Sequence, residues 1–311
     1  MDRVKENRST SQRGIVFLFL LPTAHAADKP NILFIMTDDV GLQNIGAYHR
    51  GLMSSQTPNL DKIAKQGALY TDYYAEPTCT AGRSATITGQ FPVRTGLHSV
   101  GLPGDPIGLP KGIPTLPGLL RDLGYATGQF GKNHLGDRDE FLPTMHGFDE
   151  FWGWLYHLNA MEYTSDPEFP KGEEAKQFAP RNVIHARSTG KGKQSIVDDG
   201  PLPPERMKTL DDEVNKHTIN FIRKAVEEDK PFFVWHCPSR AHVWTHLSPK
   251  YEAMIGQDGM GLQEVVMKDL DDHVGEVLEE LERLSVADNT IVIFTADNGP
   301  EILTWPDGGM T

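Results

Sequence analysis

The sequence predicts an α/β protein, a layered sandwich built on a large, mostly parallel central sheet. Two observations predict it. Short apolar runs of buried-strand type alternate with amphipathic helical segments along the chain, and the chemically useful polar residues collect just beyond the ends of those runs. A parallel sheet covered on both faces is the arrangement whose strands read as continuous apolar runs.

The first element stands behind a start that has to be set aside. Arg3, Lys5, Arg8 and Arg13 precede the apolar run Ile15 to Leu21, and Ala24-His25-Ala26 follows. That order predicts a secretory signal peptide over 1–26, with export to the periplasm or the medium. The run is far shorter than the roughly 20 residues that span a bilayer, so no stable membrane anchor is expected. The remaining 27–311 are read as one catalytic domain. Without the leader the net charge moves from −13 to −15, because four basic and two acidic residues leave. Such acidity excludes nonspecific nucleic-acid binding, which needs a basic face.

Asn31 to Met36 (NILFIM) is the first strand-like run. Thr57 to Ala64 predicts a helix, with Thr57 as N-cap, Pro58 in the first helical position and Gly67 as stop. Thr115 to Leu123, closed by Gly124, repeats the design, and Tyr125 to Phe130 reads as the next strand. Residues near 211–228 and 262–284 predict longer amphipathic helices; Val265, Val266, Leu270, Val274 and Leu281 keep helical spacing in the second. Each leads into an apolar strand, Pro231 to Trp235 and Thr290 to Phe294. Residues from about 161 to 204 are polar, rich in Gly, Pro and Lys, and without clear period; they predict a loop-rich surface insertion.

Four polar clusters follow four of these strands: Asp38 and Asp39, Lys132 and His134, Arg240 and His242, and Asp297 with Asn298. Open α/β sheets build their ligand sites at the C-terminal ends of strands, so four clusters there predict a site. Asp38, Asp39, Asp297 and Asn298 offer oxygen donors alone, which suits a hard cation such as Ca²⁺ or Mg²⁺. Either pair taken alone reads equally well as capping or turn chemistry. Lys132, His134 and His242 supply cationic and protonatable groups for an oxyanion and its leaving group, with His246 a rival to His242. His49, His98 and His217 read as surface or packing residues.

The chain has two cysteines, Cys79 and Cys237. In an oxidising compartment the plain reading is a disulfide between them. The surroundings of Cys79 favour a chemical role instead. Cys79-Thr80-Ala81-Gly82-Arg83-Ser84 opens a predicted helix ending near Gly89, and a helix N-terminus favours an anion or nucleophile. Arg83, four residues on, lies about one turn away on nearly the same face.

These motifs resemble the type I sulfatase (arylsulfatase-like) family of the alkaline-phosphatase-like superfamily. NILFIMTDDVG (residues 31–41) resembles the family's first strand and metal motif, CTAGRSATITG (79–89) its signature, GKNHLG (131–136) its second signature, and TADNG (295–299) its second metal motif. Ala81 stands where proline is commoner, and Asn133 where tryptophan is commoner. The resemblance implies an alkaline-phosphatase-like sandwich and hydrolysis of sulfate esters, of small molecules or of glycans. It further implies that a maturation enzyme converts Cys79 to formylglycine, whose hydrate carries two geminal hydroxyls. Asp38, Asp39, Asp297 and Asn298, with the modified Cys79, would hold Ca²⁺ or Mg²⁺. Arg83 and Lys132 would stabilise the hydrate and developing charge, and His242 would bind sulfate and protonate the leaving oxygen. His134 would take the proton from the second hydroxyl, expelling sulfate and restoring the aldehyde. Family members usually continue into a lysine-bearing motif and a small C-terminal domain, so that domain is expected to be missing from a chain ending at Thr311. Two other activities share these motifs: a phosphonate monoester or phosphodiester hydrolase of the superfamily, and a non-catalytic sulfated-glycan binder.

Overall fold

The structure, a computed structural model, describes residues 29–243 and 245–300. The expected signal peptide lies outside the described residues, as does the chain end at Thr311. Seven strands form one sheet: β1 (Asn31–Thr37), β2 (Ala126–Gly131), β3 (Glu150–Gly153), β4 (Ile184–Gly190), β5 (Lys193–Asp198), β6 (Phe232–Cys237) and β7 (Thr290–Ala296), in the order β5-β4-β3-β2-β6-β1-β7. The five strands β3, β2, β6, β1 and β7 run parallel, while β4 and β5 join antiparallel at one edge.

That hairpin corrects the expected loop-rich insertion over 161–204. Ile184 and Ala186 point into the core while His185 and Arg187 alternate outward, which is a strand's period of two. The signal is faint because β4 has only two apolar inward positions and β5 only Ile196, while Val197 of β5 faces outward among polar neighbours. The short β3 likewise carried no readable signal.

Helices cover both faces, so each central strand divides its side chains between two cores. Among the helices of seven or more residues are α1 (Pro58–Gln66), α2 (Cys79–Thr88), α3 (Leu116–Asp122), α4 (Leu210–Glu227) and α5 (Leu262–Arg283). Leu33 and Ile35 of β1, with Phe232 and Val234 of β6, join the core under α1, α4 and α5. Met36, Phe233 and Trp235 point the other way, against Ile87 of α2 and Leu116 and Leu120 of α3. This two-sided burial is why the strands read as unbroken apolar runs.

Capping sets where α1 and α2 begin. The Thr78 hydroxyl accepts from the Ala81 N–H, and α2 ends on Gly89 in left-handed conformation (φ 65°). At α1 the cap differs from expectation. Thr57 occupies the N-cap position, but its hydroxyl accepts from Gly46 N–H instead. The free N–H groups of Asn59 and Leu60 donate to the Asp271 carboxylate of α5, at 3.0 and 2.9 Å. A carboxylate 211 residues on in sequence has replaced the local cap. No helix among the described residues is long and apolar enough to cross a membrane.

Candidate active site

The four polar clusters sit at the C-terminal ends of β2, β6, β1 and β7, which are neighbours in that order. Adjacent parallel strands end at one rim of the sheet, so the clusters meet although Asp39 and Asn298 lie 259 residues apart. Asp39 and His134 both turn in left-handed backbone (φ 58° and 59°), a conformation costing a residue with a side chain about 1–2 kcal/mol. Asp39 lies two residues past β1 and His134 three past β2, where the bend keeps both functional groups of each cluster at the rim.

The N-terminus of α2 crosses this rim at Gly82. A Cβ there would stand 1.8 Å from the carbonyl oxygen of Asp297, so only glycine lets the helix approach β7 this closely. The approach carries Cys79 into the cluster: its Sγ and carboxylate oxygens of Asp38 and Asp297 all lie within 4.8 Å of one another. Burial pushes the Cys79 thiol up to about 12, against the pull of Lys132, so it is held as a neutral thiol. Cys79 and Cys237 are both unpaired, which removes the disulfide reading.

Two fully buried cations line the site. Arg83 donates from Nε to Asp297 Oδ2 at 2.8 Å and from Nη1 to the Lys132 carbonyl at 3.0 Å. Lys132 Nζ donates to Asp38 Oδ2 at 2.5 Å. Burial disfavours charge on Lys132, but Asp38 outweighs it and raises the ammonium above its ordinary range. Burial likewise pushes the Asp38 carboxyl up; Lys132, with His242 and Arg83 behind it, outweighs that and holds it far below the ordinary carboxylate range. The other two carboxylates behave oppositely. Burial and the neighbouring Asp38 push Asp39 up to about 8 and, despite Arg83, Asp297 up to about 6.

The site is therefore short of positive charge, and its oxygens show where a cation fits. Asp38 Oδ1, Asp297 Oδ1 and Asn298 Oδ1 are buried with no hydrogen-bond partner, while Asn298 Nδ2 donates to Asp39 Oδ1 at 2.6 Å. Three orphaned buried acceptors are costly unless something satisfies them. An all-oxygen set of this kind suits a hard divalent ion. His242 Nε2 stands 3.6 Å from Asp39 Oδ2, which brings one nitrogen to the edge of the set.

This charge pattern makes a prediction with a definite sign. A carboxyl whose pKa is raised in the folded state stabilises the metal-free fold at low pH, and that contribution is lost as pH rises through about 8. The ion needs the same carboxylates ionised, so its affinity grows over the same window. The gap between unfolding midpoints in calcium and in chelator should widen from pH 6 to pH 8, with about one proton released per ion near pH 7. A gap that stays constant across that range would remove Asp39 from the ligand set.

His134 is fully buried; its Nε2 meets the Gly101 carbonyl at 3.0 Å, which fixes the proton there, and Nδ1 has no partner. Burial first, then Lys132, lowers its pKa well below the ordinary histidine value, so it is neutral with a free basic nitrogen. Beside it lies a histidine the sequence reading passed over. The ring of His157 stands edge-on to His134 and stacks flat on His242, with centroids 5.5 Å apart in each case. Its Nδ1 accepts from the Ala160 N–H, and burial lowers its pKa to about 3. His157 follows β3, so the same strand-end rule finds it once that strand is known. His246 is not in the cluster; it bonds Glu162 at 2.6 Å. Of the histidines read as packing residues, His49 bonds Ser55 and His217 stacks on Trp152.

Comparison with known proteins follows the same lines. The family model described as Sulfatase matches residues 30–309. The chain is 30% identical to N-acetylgalactosamine-6-sulfatase of Homo sapiens over 91% of its length and 52% of the relative's. It is 33% identical to arylsulfatase A of Bos taurus, over 91% of this chain and 55% of that one. It thus spans about half the length of the curated relatives it matches. Among solved structures, PsFucS1 sulfatase from Pseudoalteromonas sp. superposes with a TM-score of 0.80 at 33% identity, covering 90% of this chain and 57% of that one. Ps i-CgsB, solved with k-i-k-neocarrahexaose, gives 0.71 at 26% identity, covering 89% and 61%. A match over nearly the whole chain, in sequence and in fold, makes it a member of the sulfatase family.

Proposed function

We propose that the protein hydrolyses sulfate esters of glycans outside the cytoplasm, with Cys79 converted to formylglycine and a calcium ion held by Asp38, Asp39, Asp297 and Asn298. The observation that carries this reading is the set of three partnerless buried oxygens, on Asp38, Asp297 and Asn298, with the first two residues gathered around Cys79 at the capped start of α2. The Sγ of Cys79 marks the place of a formylglycine hydrate oxygen, which completes an all-oxygen set. The glycan substrate is supported by the relatives, one named for a sulfated amino sugar and one solved with a carrageenan hexasaccharide. Export is supported by the basic, apolar and small-residue order of residues 1–26.

The bound ion would supply Lewis acidity toward sulfate oxygens, and formylglycine hydrate a nucleophilic hydroxyl with a second one beside it. The chain's own groups do the rest. Arg83 and Lys132 hold negative oxygens in a site where water is excluded and charge interactions are strong. His242, at the rim beside Asp39, gives a proton to the leaving oxygen. His134, neutral and free at Nδ1, takes the proton of the second hydroxyl as sulfate leaves. His157 packs against both rings, edge-on to His134 and stacked on His242, and so holds their orientation.

The test is made on protein from a host with a competent maturation enzyme. Peptide mass spectrometry should find formylglycine at position 79, and turnover should favour a sulfate ester over the phosphate or phosphonate ester of the same alcohol. Intact Cys79 in a preparation that turns over sulfate esters would overturn the nucleophile. Preference for the phosphorus esters would overturn the substrate class.

A further inference from the structure

The turn that brings His242 to the rim is anchored from behind by a buried cation that faces away from the metal site. Arg240 is 1% exposed, and its guanidinium is turned toward α4 and α5. Its Nε donates to Asp269 Oδ2 of α5 at 2.8 Å, Nη1 to Ser239 Oγ at 2.7 Å, and Nη2 to the His246 carbonyl at 3.3 Å. Asp211 of α4 receives the Ser239 N–H at 2.8 Å and its hydroxyl at 3.1 Å. His273 Nδ1 bonds the Asp269 carbonyl at 2.8 Å and stands 2.9 Å from Asp269 Oδ1 as an ion pair. Asp212 and Asp269 outweigh the burial of His273 and raise it to about 11, so the ring is a cation that keeps Asp269 ionised.

The main chain of the same turn is bonded to the first metal-site residue in both directions. Asp38 N–H donates to the Arg240 carbonyl at 3.3 Å, and Ala241 N–H donates to the Asp38 carbonyl at 2.8 Å. His242 N–H closes the turn on the Ser239 carbonyl at 3.2 Å. The turn carrying His242 is thus tied to Asp38 by two backbone hydrogen bonds, and Arg240 ties that turn to two helices and to the carbonyl of His246.

We propose that Arg240 is a positioning residue, which fixes the backbone carrying His242 against Asp38 and so sets the spacing of metal ligand and proton donor. The inference rests on the sulfatase reading of the site. Stability alone does not account for the residue, because well-packed apolar side chains commonly replace a buried ion pair without loss. A rigid fork of five donors, with three spent on Asp269 of α5, the neighbouring Ser239 and the His246 carbonyl, fixes geometry in a way a point charge cannot. Displacement of a catalytic group by about 1 Å is enough to reduce turnover on the order of 100-fold.

The experiment compares wild type with Arg240→Lys, which keeps the charge near Asp269 and loses the fork. Three quantities are read: kcat and KM on a sulfate ester, calcium affinity by calorimetry, and the ring NMR signals of His242, assigned through His242→Gln. The expected result is a fall in kcat of roughly 10- to 100-fold with KM changed less, weaker calcium binding, and displaced His242 signals while those of His49 stay put. Arg240→Lys with wild-type calcium affinity and wild-type His242 signals overturns the proposal. Wild type without sulfate-ester turnover refutes the function but leaves the other two readings to decide this inference. Should Arg240→Lys not fold, Asp269→Asn loosens the same tie and is judged on the same three readings.

Discussion

Asp297→Ala should abolish calcium binding and lower the stability of the metal-free protein by about 3–5 kcal/mol. The two losses have separate causes. The first follows from removing the orphaned Oδ1 from the oxygen set. The second follows from Oδ2, which accepts from Nε of Arg83 at 2.8 Å and stands 2.8 Å from Nη2 as an ion pair, both groups being fully buried. Truncation leaves a guanidinium in the interior with its main counter-charge gone, since Asp38 Oδ1 stands off at 4.0 Å. Whole domains are stable by only about 5–15 kcal/mol, so this variant sits near the unfolding threshold. Denaturant titration in chelator reads the second loss and calorimetry the first. Repeating Asp297→Ala in an Arg83→Met background separates them, because the stability loss should shrink while calcium binding stays absent. An unchanged loss in that background would show that the Arg83 pair is not its source.

Gly82→Ala should be as damaging to turnover as removal of a catalytic group, although it adds one methyl and deletes nothing. The new Cβ would meet the Asp297 backbone, oxygen at 1.8 Å and carbonyl carbon at 2.8 Å, and backbone has no alternative rotamer to adopt. Either α2 rides up or β7 bends away, and both separate Cys79 from Asp297 by roughly 1 Å. The expected effects are a stability loss of about 1–3 kcal/mol and a drop in turnover of about 100-fold. Ala85→Gly, one turn along the same helix, is the control for simple helix weakening, at about 1 kcal/mol. Turnover in Gly82→Ala no lower than in that control would mean the contact is not rigid.

Most of the site was legible because a parallel sheet turns position after a strand into position in space. Asp38, Asp39, Lys132, His134, His242, Asp297 and Asn298 all follow apolar runs that the sequence displays openly. Cys79 and Arg83 do not follow a strand, and were legible through the helix start and the family motif instead. What stayed hidden has a common cause. His157 follows a strand of four residues, too short to show a period, and the β4–β5 hairpin carries its alternation on mostly polar residues. The cap on α1 comes from Asp271, a contact no local window contains. Arg240 stood in the right cluster but faces away from the site, and nothing in sequence distinguishes a residue that touches the pocket from one that holds its wall.

The strand order also bears on how the chain is made. Among the described strands β1 is the first to leave the ribosome, yet both of its neighbours, β6 and β7, are the last two. At about 5–20 residues per second, the roughly 200 residues between β1 and β6 keep NILFIM waiting for about 10–40 seconds with neither edge paired. An apolar, β-prone segment without charge or proline is the kind that associates with its own copies during such a delay. The interior position, paired on both edges, that lets β1 deliver two carboxylates to the rim therefore makes it the segment a nascent chain most needs shielded.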